Sequence, residues 1–236
     1  MSDRPLLLVS GVAEGLGASL AETFARAGHD VLGIARSDRA AAEIAARVRT
    51  AGGAYTPLQV DLTEPEAVAR ALAPHAERVA VLIHNAHALL IRPFEETAPA
   101  EFERIWRVCV LGAVAAAQTV LPHMAARGAG AVILTGATAG LRGGANFAAF
   151  ASAKFALRGL AQSLAREYGP RGVHAAHVVL DGLIEEAQSD ARFGKPQEPD
   201  ARLDPDAVAR IYLDLSRQHR SAWTQELDVR PFAERF

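Results

Sequence analysis

The sequence predicts one α/β domain, built on a doubly wound parallel sheet of about seven strands with helices on both faces. Short apolar runs alternate with longer helical patterns along the whole of the 236 residues. No internal repeat or second apolar core interrupts this alternation, so we treat 1–236 as a single domain. The predicted strands are 6–10, 31–35, 56–60, 79–84, 131–135, 173–180 and 226–229.

Helices are predicted between these strands, and several carry end signals. The two longest patterns cover 101–127 and 145–168, where apolar residues recur at helical spacing. Thr63 and Glu66 have the spacing of a capping box, and Asp204 precedes a proline as an N-cap would. Left-handed C-caps are predicted at three glycines: Gly28, Gly52 and Gly169.

Composition argues against several classes of function. The net charge is −2 with both signs interspersed, so we expect no nucleic-acid partner and no membrane partner. The single cysteine, Cys109, excludes an internal disulfide and suits a reducing compartment. The first apolar run is too short for a signal peptide, and no run approaches about 18 uninterrupted apolar residues. We therefore expect a soluble cytoplasmic protein.

The most informative motif is a glycine-rich turn directly after the first strand. Ser10, Gly11, Gly15, Leu16 and Gly17 belong to the segment SGVAEGLG, which opens a helix. One glycine permits the tight turn, one lets the backbone approach a diphosphate, and one lets helix and strand pack closely. An ordinary glycine-rich turn would contain similar residues. The order strand, turn, helix and second strand favours a Rossmann-type dinucleotide site, with the diphosphate on the helix N-terminus.

The end of the second strand indicates which dinucleotide is bound. A site for NAD usually has a carboxylate here, whereas this chain has Ala35, followed by Arg36 and Ser37. A guanidinium favours the extra phosphate of NADP(H), and the alternative is that Arg36 is a solvated surface charge. Glu14 would repel the phosphates unless its side chain points outward. We predict NADP(H) as the cofactor.

The chain resembles the short-chain dehydrogenase/reductase family over nearly its whole length. The resemblance rests on SGVAEGLG at 10–17, on Asp61-Leu62, on His84-Asn85-Ala86-His87 and on Phe150-Ala151-Ser152-Ala153-Lys154. It implies that Asp61 and Leu62 hold the adenine and that Asn85 and Ala86 stabilise the sheet beside the cofactor. It further implies that Lys154 binds the nicotinamide ribose. After the sixth strand, Gly182 and Ile184 correspond to the segment that binds the carboxamide.

The chain departs from the family at the catalytic positions. Phe150 stands at the position of the family's tyrosine, Ala137 at that of its serine and Cys109 at that of its asparagine, and Lys154 alone remains. Nearby hydroxyls do not replace the tyrosine: Thr138 and Ser152 would point elsewhere, and Tyr168 lies about 27 Å along the helix. Ordinary ketone reduction or alcohol oxidation is therefore not expected.

Other polar residues have two interpretations each. His84 and His87 are candidate proton donors, or structural histidines bonded to the nearby backbone. Cys109 is a nucleophile or, more in keeping with its apolar helix, a core residue. Asp181 replaces a family proline and is a site carboxylate or part of a surface turn, and Glu186 replaces a family threonine. No metal site is predicted.

Two hypotheses about function remain. The first is an NADP(H)-dependent oxidoreductase that acts on a small molecule through a C=N or C=C bond, with His84 or His87 as the proton donor. The second is a cofactor-binding protein without turnover, acting as a sensor or assembly partner. The resemblance also implies a homodimer or homotetramer, joined through the two long helices. The polar stretch 185–202 is expected to form a mobile flap over the site.

Overall fold

The computed structural model describes residues 4–196 and 198–233. Its centre is a parallel sheet of seven strands in the order β3-β2-β1-β4-β5-β6-β7. The strands are β1 Leu6–Ser10, β2 Asp30–Ala35, β3 Tyr55–Gln59, β4 Val79–His84, β5 Gly130–Thr135, β6 Val173–Leu180 and β7 Glu226–Val229. The predicted fold class is confirmed, and the strand ends agree with the prediction to within one residue.

Helices connect the strands and cover both faces of the sheet. They are α1 Leu16–Arg26, α2 Ala41–Thr50, α3 Pro65–Leu72, α4 Pro99–Trp106, α5 Gly112–Arg127, α6 Ala148–Tyr168, α7 Ala187–Phe193 and α8 Pro205–Ser216. A π-helical turn, Arg107–Leu111, joins α4 to α5, so these form the first long helix that the sequence predicts. The second, α6, begins three residues later than predicted, after Asn146 in a left-handed conformation.

Alternate residues of each strand enter two different cores. Leu8, Leu82 and Leu134 pack beneath α3 to α6, whereas Val9 and Ile83 pack beneath α1, α2 and α8. This alternation follows from the period of two along a strand. Because both faces are buried, the strands are apolar throughout, which is the pattern that predicts a parallel sheet covered by helices.

The order of the strands determines where a ligand can bind. β1 pairs with β2 on one side and with β4 on the other, so the chain reverses its direction across the sheet at this point. Ser10, the last residue of β1, pairs with both Ile34 and His84. In open parallel sheets, a ligand crevice forms outside the carboxyl ends of the strands at such a reversal. The candidate site therefore lies at the ends of β1, β2 and β4.

The helix Pro99–Arg127 is apolar and long enough to cross a membrane by length and composition alone. Its most apolar 18-residue window has a mean hydropathy of 1.6, and 56% of that window is buried inside the protein. Ala116, Val120 and Met124 of this helix are fully covered by the core beneath the sheet. Burial against the sheet accounts for its apolar composition.

The capping box predicted at Thr63 is wrong. α3 begins at Pro65 with Glu64 as its N-cap, and no side chain caps it. The Thr63 amide instead donates to the Asp61 carboxylate at 2.9 Å. This short turn leaves Thr63 outside the helix, where its hydroxyl cannot reach the first helical amides.

The other end signals agree with the structure, with one exception. Gly28 and Gly52 are left-handed, with φ of 100° and 86°. Asp204 caps α8, because its carboxylate accepts from the amides of the first helical turn at 2.7 and 2.8 Å. Gly169 has a right-handed φ of −55°, which is a correction to the prediction. A 3₁₀ turn extends the helix, and the left-handed residue is Gly172 with φ of 83°.

Candidate functional site

The turn between β1 and α1 is closed against the end of β4. Gly11 has a φ of 84°, and a Cβ on this residue would lie 2.5 Å from the Ala86 Cα. The Asn85 amide donates to the Ser10 carbonyl at 2.8 Å, and Asn85 Nδ2 donates to the Gly11 carbonyl at 3.2 Å. The predicted turn and the predicted Asn85–Ala86 pair are thus in direct contact.

The N-terminus of α1 forms an anion cradle at this edge. Gly15 is the N-cap with φ of 78°, no side chain caps the helix, and its first turn contains no acidic residue. Gly17 lets the turn pack closely, since a Cβ there would lie 3.0 Å from the Val12 Cα. Leu16 anchors the helix with a buried side chain. The free amides and the positive end of the helix dipole fit a diphosphate.

Glu186, from the segment after β6, lies on this cradle. A Cβ added to Gly15 would lie 3.0 Å from the Glu186 Cβ and 3.1 Å from its carboxyl carbon. The Glu186 side chain is half-buried, and burial followed by the nearby Glu14 raises the pKa of its carboxyl group. The sequence identifies Glu186 only as the replacement of a family threonine, and its contact with Gly15 is visible only in the structure.

Residues predicted for the adenosine end lie after β2 and β3. Arg36 and Ser37 are exposed directly after β2, and the N-terminus of α2 follows. Asp61 is also exposed. Leu62 is buried against α5, where a Cβ on Gly112 would lie 3.0 Å from the Leu62 Cβ. These residues share the carboxyl edge of the sheet with the glycine-rich turn.

Lys154 lies almost fully buried on α6, with 2% of its surface exposed. Its Nζ donates to the Thr135 carbonyl at 2.7 Å, and burial lowers the pKa of the amine. The centroid of the Phe150 ring, one helical turn earlier, lies 5.6 Å from Nζ. The structure therefore brings Phe150 and Lys154 together as their spacing predicts, but it directs the amine at the backbone of β5.

His84 is fully buried at the end of β4. Within the described residues, neither ring nitrogen has a hydrogen-bond partner. The ring lies close to the backbone of Val108 and Cys109 in the π-helical turn, without reaching hydrogen-bond geometry. Burial, and then the nearby Lys154 cation, lower the pKa of His84 to about 3. The imidazole is therefore neutral near pH 7.

Comparison with known proteins identifies the family. The short chain dehydrogenase family model matches residues 6–192. The chain belongs to the short-chain dehydrogenase family. Human 17-beta-hydroxysteroid dehydrogenase type 1 is 31% identical over 220 residues, which cover 90% of this chain and 67% of that protein.

Solved structures of short-chain dehydrogenases share this fold. A short-chain dehydrogenase from Rhodopseudomonas palustris is 33% identical with a TM-score of 0.82, covering 96% of this chain and 98% of its own. A metagenomic short-chain oxidoreductase, solved in complex with NADP, is 25% identical with a TM-score of 0.82, and 98% of each chain is covered. The seven-stranded Rossmann-like domain is thus that of a short-chain dehydrogenase.

Apolar residues form the wall of this short-chain dehydrogenase where the family resemblance places catalytic groups. Phe150 is buried, Cys109 is fully buried in the π-helical turn, and Ala137 is extended after β5. The His87 ring meets the Phe150 ring edge-on, with 6.4 Å between their centroids. His87 follows β4 and is exposed as a residue, and desolvation of its ring by neighbouring atoms, followed by the Lys154 cation, lowers the pKa of the ring to about 4.

Thr138 and Asp181 form a polar pair that the sequence does not predict. The Thr138 hydroxyl donates to Asp181 Oδ1, and Asp181 is 1% exposed. The Asp181 carboxylate also lies 3.9 Å from Arg142 and 3.7 Å from Arg230. Burial excludes the surface-turn interpretation of Asp181. Polar residues after two adjacent parallel strands were the available signal for this pair.

β6 carries two further histidines, and each contacts a side chain near the C-terminus of the chain. His174 stacks on Trp223 with 5.0 Å between ring centroids, at the start of the strand and away from the carboxyl edge. His177 Nδ1 lies 3.0 Å from a Glu226 carboxylate oxygen. Across residues 4–196 and 198–233, no group of three histidine, cysteine or acidic side chains could hold a metal.

The segment predicted as a flap has folded structure in its described residues. Gly182 packs on Pro231, and Ile184 pairs with Leu203 in an isolated bridge. Arg202 is buried and donates to the Asp190 carboxylate of α7 at 2.6 Å. The base of the segment is thus held to the domain, and its mobility stays a prediction.

Proposed function

We propose that this short-chain dehydrogenase is an NADP(H)-dependent oxidoreductase acting on a small organic substrate, whose C=N or C=C bond needs no tyrosine acid. The observation that carries the proposal is the apolar Phe150 ring, 5.6 Å from Lys154 Nζ, where the family resemblance implies a phenol. When bound, the nicotinamide supplies or takes up the hydride.

The residues expected to contact the diphosphate, the adenine and the additional phosphate fit an NADP(H) dinucleotide. Gly11 and Gly17 permit the close packing of the turn, and the α1 N-terminus offers free amides to a diphosphate. Asp61 would hold the adenine. Arg36 and Ser37 would hold the additional phosphate of NADP(H), which the missing carboxylate at Ala35 also favours. A structural relative with NADP bound supports the same choice.

The protonation states near Phe150 argue against ketone reduction. Removing a positioned acid costs about 10² to 10⁴ in rate. His84, with its pKa lowered to about 3, and His87, with a lowered pKa, are neutral near pH 7 and poor acids. An iminium carbon accepts a hydride while its nitrogen takes the electron pair, so the product amine forms without a proton from the protein. An activated C=C bond can take its proton from water.

One observation favours a second candidate, a cofactor-binding protein without turnover. Lys154 Nζ is directed at the Thr135 carbonyl, 2.7 Å away, and is not exposed to the cleft where the ribose would lie. Together with the residues at 109, 137 and 150, this leaves no standard catalytic group facing the substrate. A sensor or assembly role would need only binding and a change of shape.

Restoring the missing groups separates the two candidates. We expect the unmodified protein to consume NADPH with a cyclic imine, and Phe150→Leu to retain that activity because the ring provides no proton. The double variant Phe150→Tyr with Ala137→Ser is expected to gain ketone reduction by about tenfold or more. Tight NADPH binding with no turnover across imines, enones and ketones would establish the second candidate. The loss of the reduced nicotinamide's absorbance as NADPH is oxidised reports each activity.

We also propose a homodimer or homotetramer, joined through the long helices. Trp106 on α4 and Phe155 on α6 are 41% and 43% exposed, so both long helices present a large apolar side chain at the surface. Their burial between subunits would explain their presence on these helices.

A further inference from the structure

Glu186 is directed inward, onto the glycine-rich turn. It is the N-cap of α7, yet its side chain lies against Gly15 of the α1 N-terminus, within ordinary contact distance of the cradle's backbone. A residue at a helix N-cap in the middle of a polar segment would ordinarily face water. The Glu186 side chain is instead half-buried over Gly15.

The contact places the Glu186 carboxylate at the N-terminus of α1, of which Gly15 is the N-cap. Its first-turn amides have no side-chain cap, so the site favours an anion, and the Glu186 carboxylate is the anion present. No described residue forms an ion pair with Glu186, and the charged group facing it is Glu14 on the turn. Burial and this neighbouring charge raise the pKa of the carboxyl group, because both oppose its ionised form at this position.

A bound diphosphate would occupy the same position, over Gly15 and the first amides of α1. Two anions cannot share one helix N-terminus, and no cation lies between them in the described residues. We propose that Glu186 is an internal competitor for the cofactor diphosphate, which must leave Gly15 before the dinucleotide binds. This inference rests on the proposed function, because it concerns the NADP(H) site.

The segment that carries Glu186 is attached in a way that permits this movement. Below it, the Glu185 amide donates to the Leu203 carbonyl at 2.9 Å, and the Leu203 amide donates to the Leu183 carbonyl at 2.8 Å. Beyond it, α7 is a single short helix that Arg202 ties to the returning chain. A rotation confined to α7 would lift Glu186 off Gly15 while leaving these backbone bonds intact.

Truncation of the side chain tests the competition directly. If the contact with Gly15 occupies about 90% of the free protein, it weakens apparent NADPH affinity about tenfold, so Glu186→Ala should bind NADPH about tenfold more tightly. The matched control is Glu185→Ala, which removes the same charge from the neighbouring exposed residue and should bind like the unmodified protein. Fluorescence titration with NADPH gives the three dissociation constants.

The outcomes are distinct. Equal affinities for all three proteins would overturn the competition and leave the proposed cofactor intact. Absence of NADPH binding by all three would overturn the proposed function, and this inference with it.

Hydrogen exchange provides a second readout that does not depend on cofactor. Without NADPH, Glu186→Ala should exchange faster than the unmodified protein over 187–193, because the carboxylate no longer holds α7 on Gly15, and Glu185→Ala should not. Unchanged exchange in Glu186→Ala would show that the contact does not hold α7, and would contradict the proposal. Circular dichroism shows that each variant is folded.

Discussion

Two adjoining regions of this short-chain dehydrogenase differ in how closely they follow the family pattern. The cofactor edge is the glycine-rich turn with Asn85 and Ala86, and the catalytic wall comprises Cys109, Ala137, Phe150 and Lys154. At the cofactor edge, Gly11, Gly17 and Asn85 make contacts that explain why each residue is there. On the catalytic wall, Phe150 and Cys109 are buried apolar residues where donors are expected, and Lys154 faces the backbone. The glycine-rich turn is thus closed against β4 although residues 109, 137 and 150 beside Lys154 are apolar.

The strongest test of the cofactor edge is Gly11→Ala. The new Cβ would lie 2.5 Å from the Ala86 Cα, in a residue with φ of 84°. We therefore expect the free energy of unfolding to fall by about 3 to 5 kcal/mol and NADPH binding to be lost. Gly28→Ala is the control, since φ is 100° but no atom lies within 4 Å, and it should cost about 1 kcal/mol. Urea unfolding measures both, and similar costs would mean that the turn is not closed against β4.

On the catalytic wall, the buried His84 should make stability depend on pH. Its folded pKa of about 3 lies below its ordinary value of 6.5, so the unfolded chain binds a proton that the folded protein rejects. This contribution is fully present above pH 6.5 and is lost as the pH falls toward 3, by up to about 1.4 kcal/mol per pH unit.

His84→Asn should weaken this dependence by removing the contribution of His84, while His29, His87 and His177, whose pKa values are also lowered, keep theirs. His219→Asn, a change at an exposed histidine, should retain the full dependence. Chemical denaturation at about pH 7, 6, 5 and 4 compares the stabilities of the three proteins over the range in which the unfolded chain protonates His84. A pH profile of His84→Asn that overlays the unmodified protein would mean that His84 is solvated or paired.

A smaller effect is expected at the end of β2. Arg36→Ala should weaken NADPH binding by about 1.5 to 3 kcal/mol and leave NADH binding unchanged, because in the proposed NADP(H) site only the additional phosphate would contact the guanidinium. Arg39→Ala, at an exposed arginine three residues on, is the matched control. Calorimetric titration with both nucleotides gives the two affinities, and an equal loss for NADH would point to a general electrostatic effect.

Much of the cofactor edge could be predicted because its signals are local. The three glycines and the apolar strands each report the geometry of neighbouring residues, whereas the choice of nucleotide by Ala35-Arg36-Ser37 stays a prediction. The errors at Thr63 and Gly169 also concern local signals. The N-cap of α3 is Glu64 instead of Thr63, and a 3₁₀ turn moves the left-handed residue from Gly169 to Gly172. Whether Lys154, His84 and His87 take part in chemistry stays a prediction, since their spacing says nothing of their protonation.

The sequence by itself determined the sheet, the glycine-rich turn and the missing phenol at Phe150, since these depend on residue type and short-range periodicity. Only the tertiary structure decided that Glu186 lies on Gly15, that Thr138 is bonded to Asp181 and that Lys154 donates to the Thr135 carbonyl. Each of these contacts joins residues far apart in the chain at one edge of the sheet. Such pairings depend on how separate loops pack together, which residue type and short-range periodicity do not report.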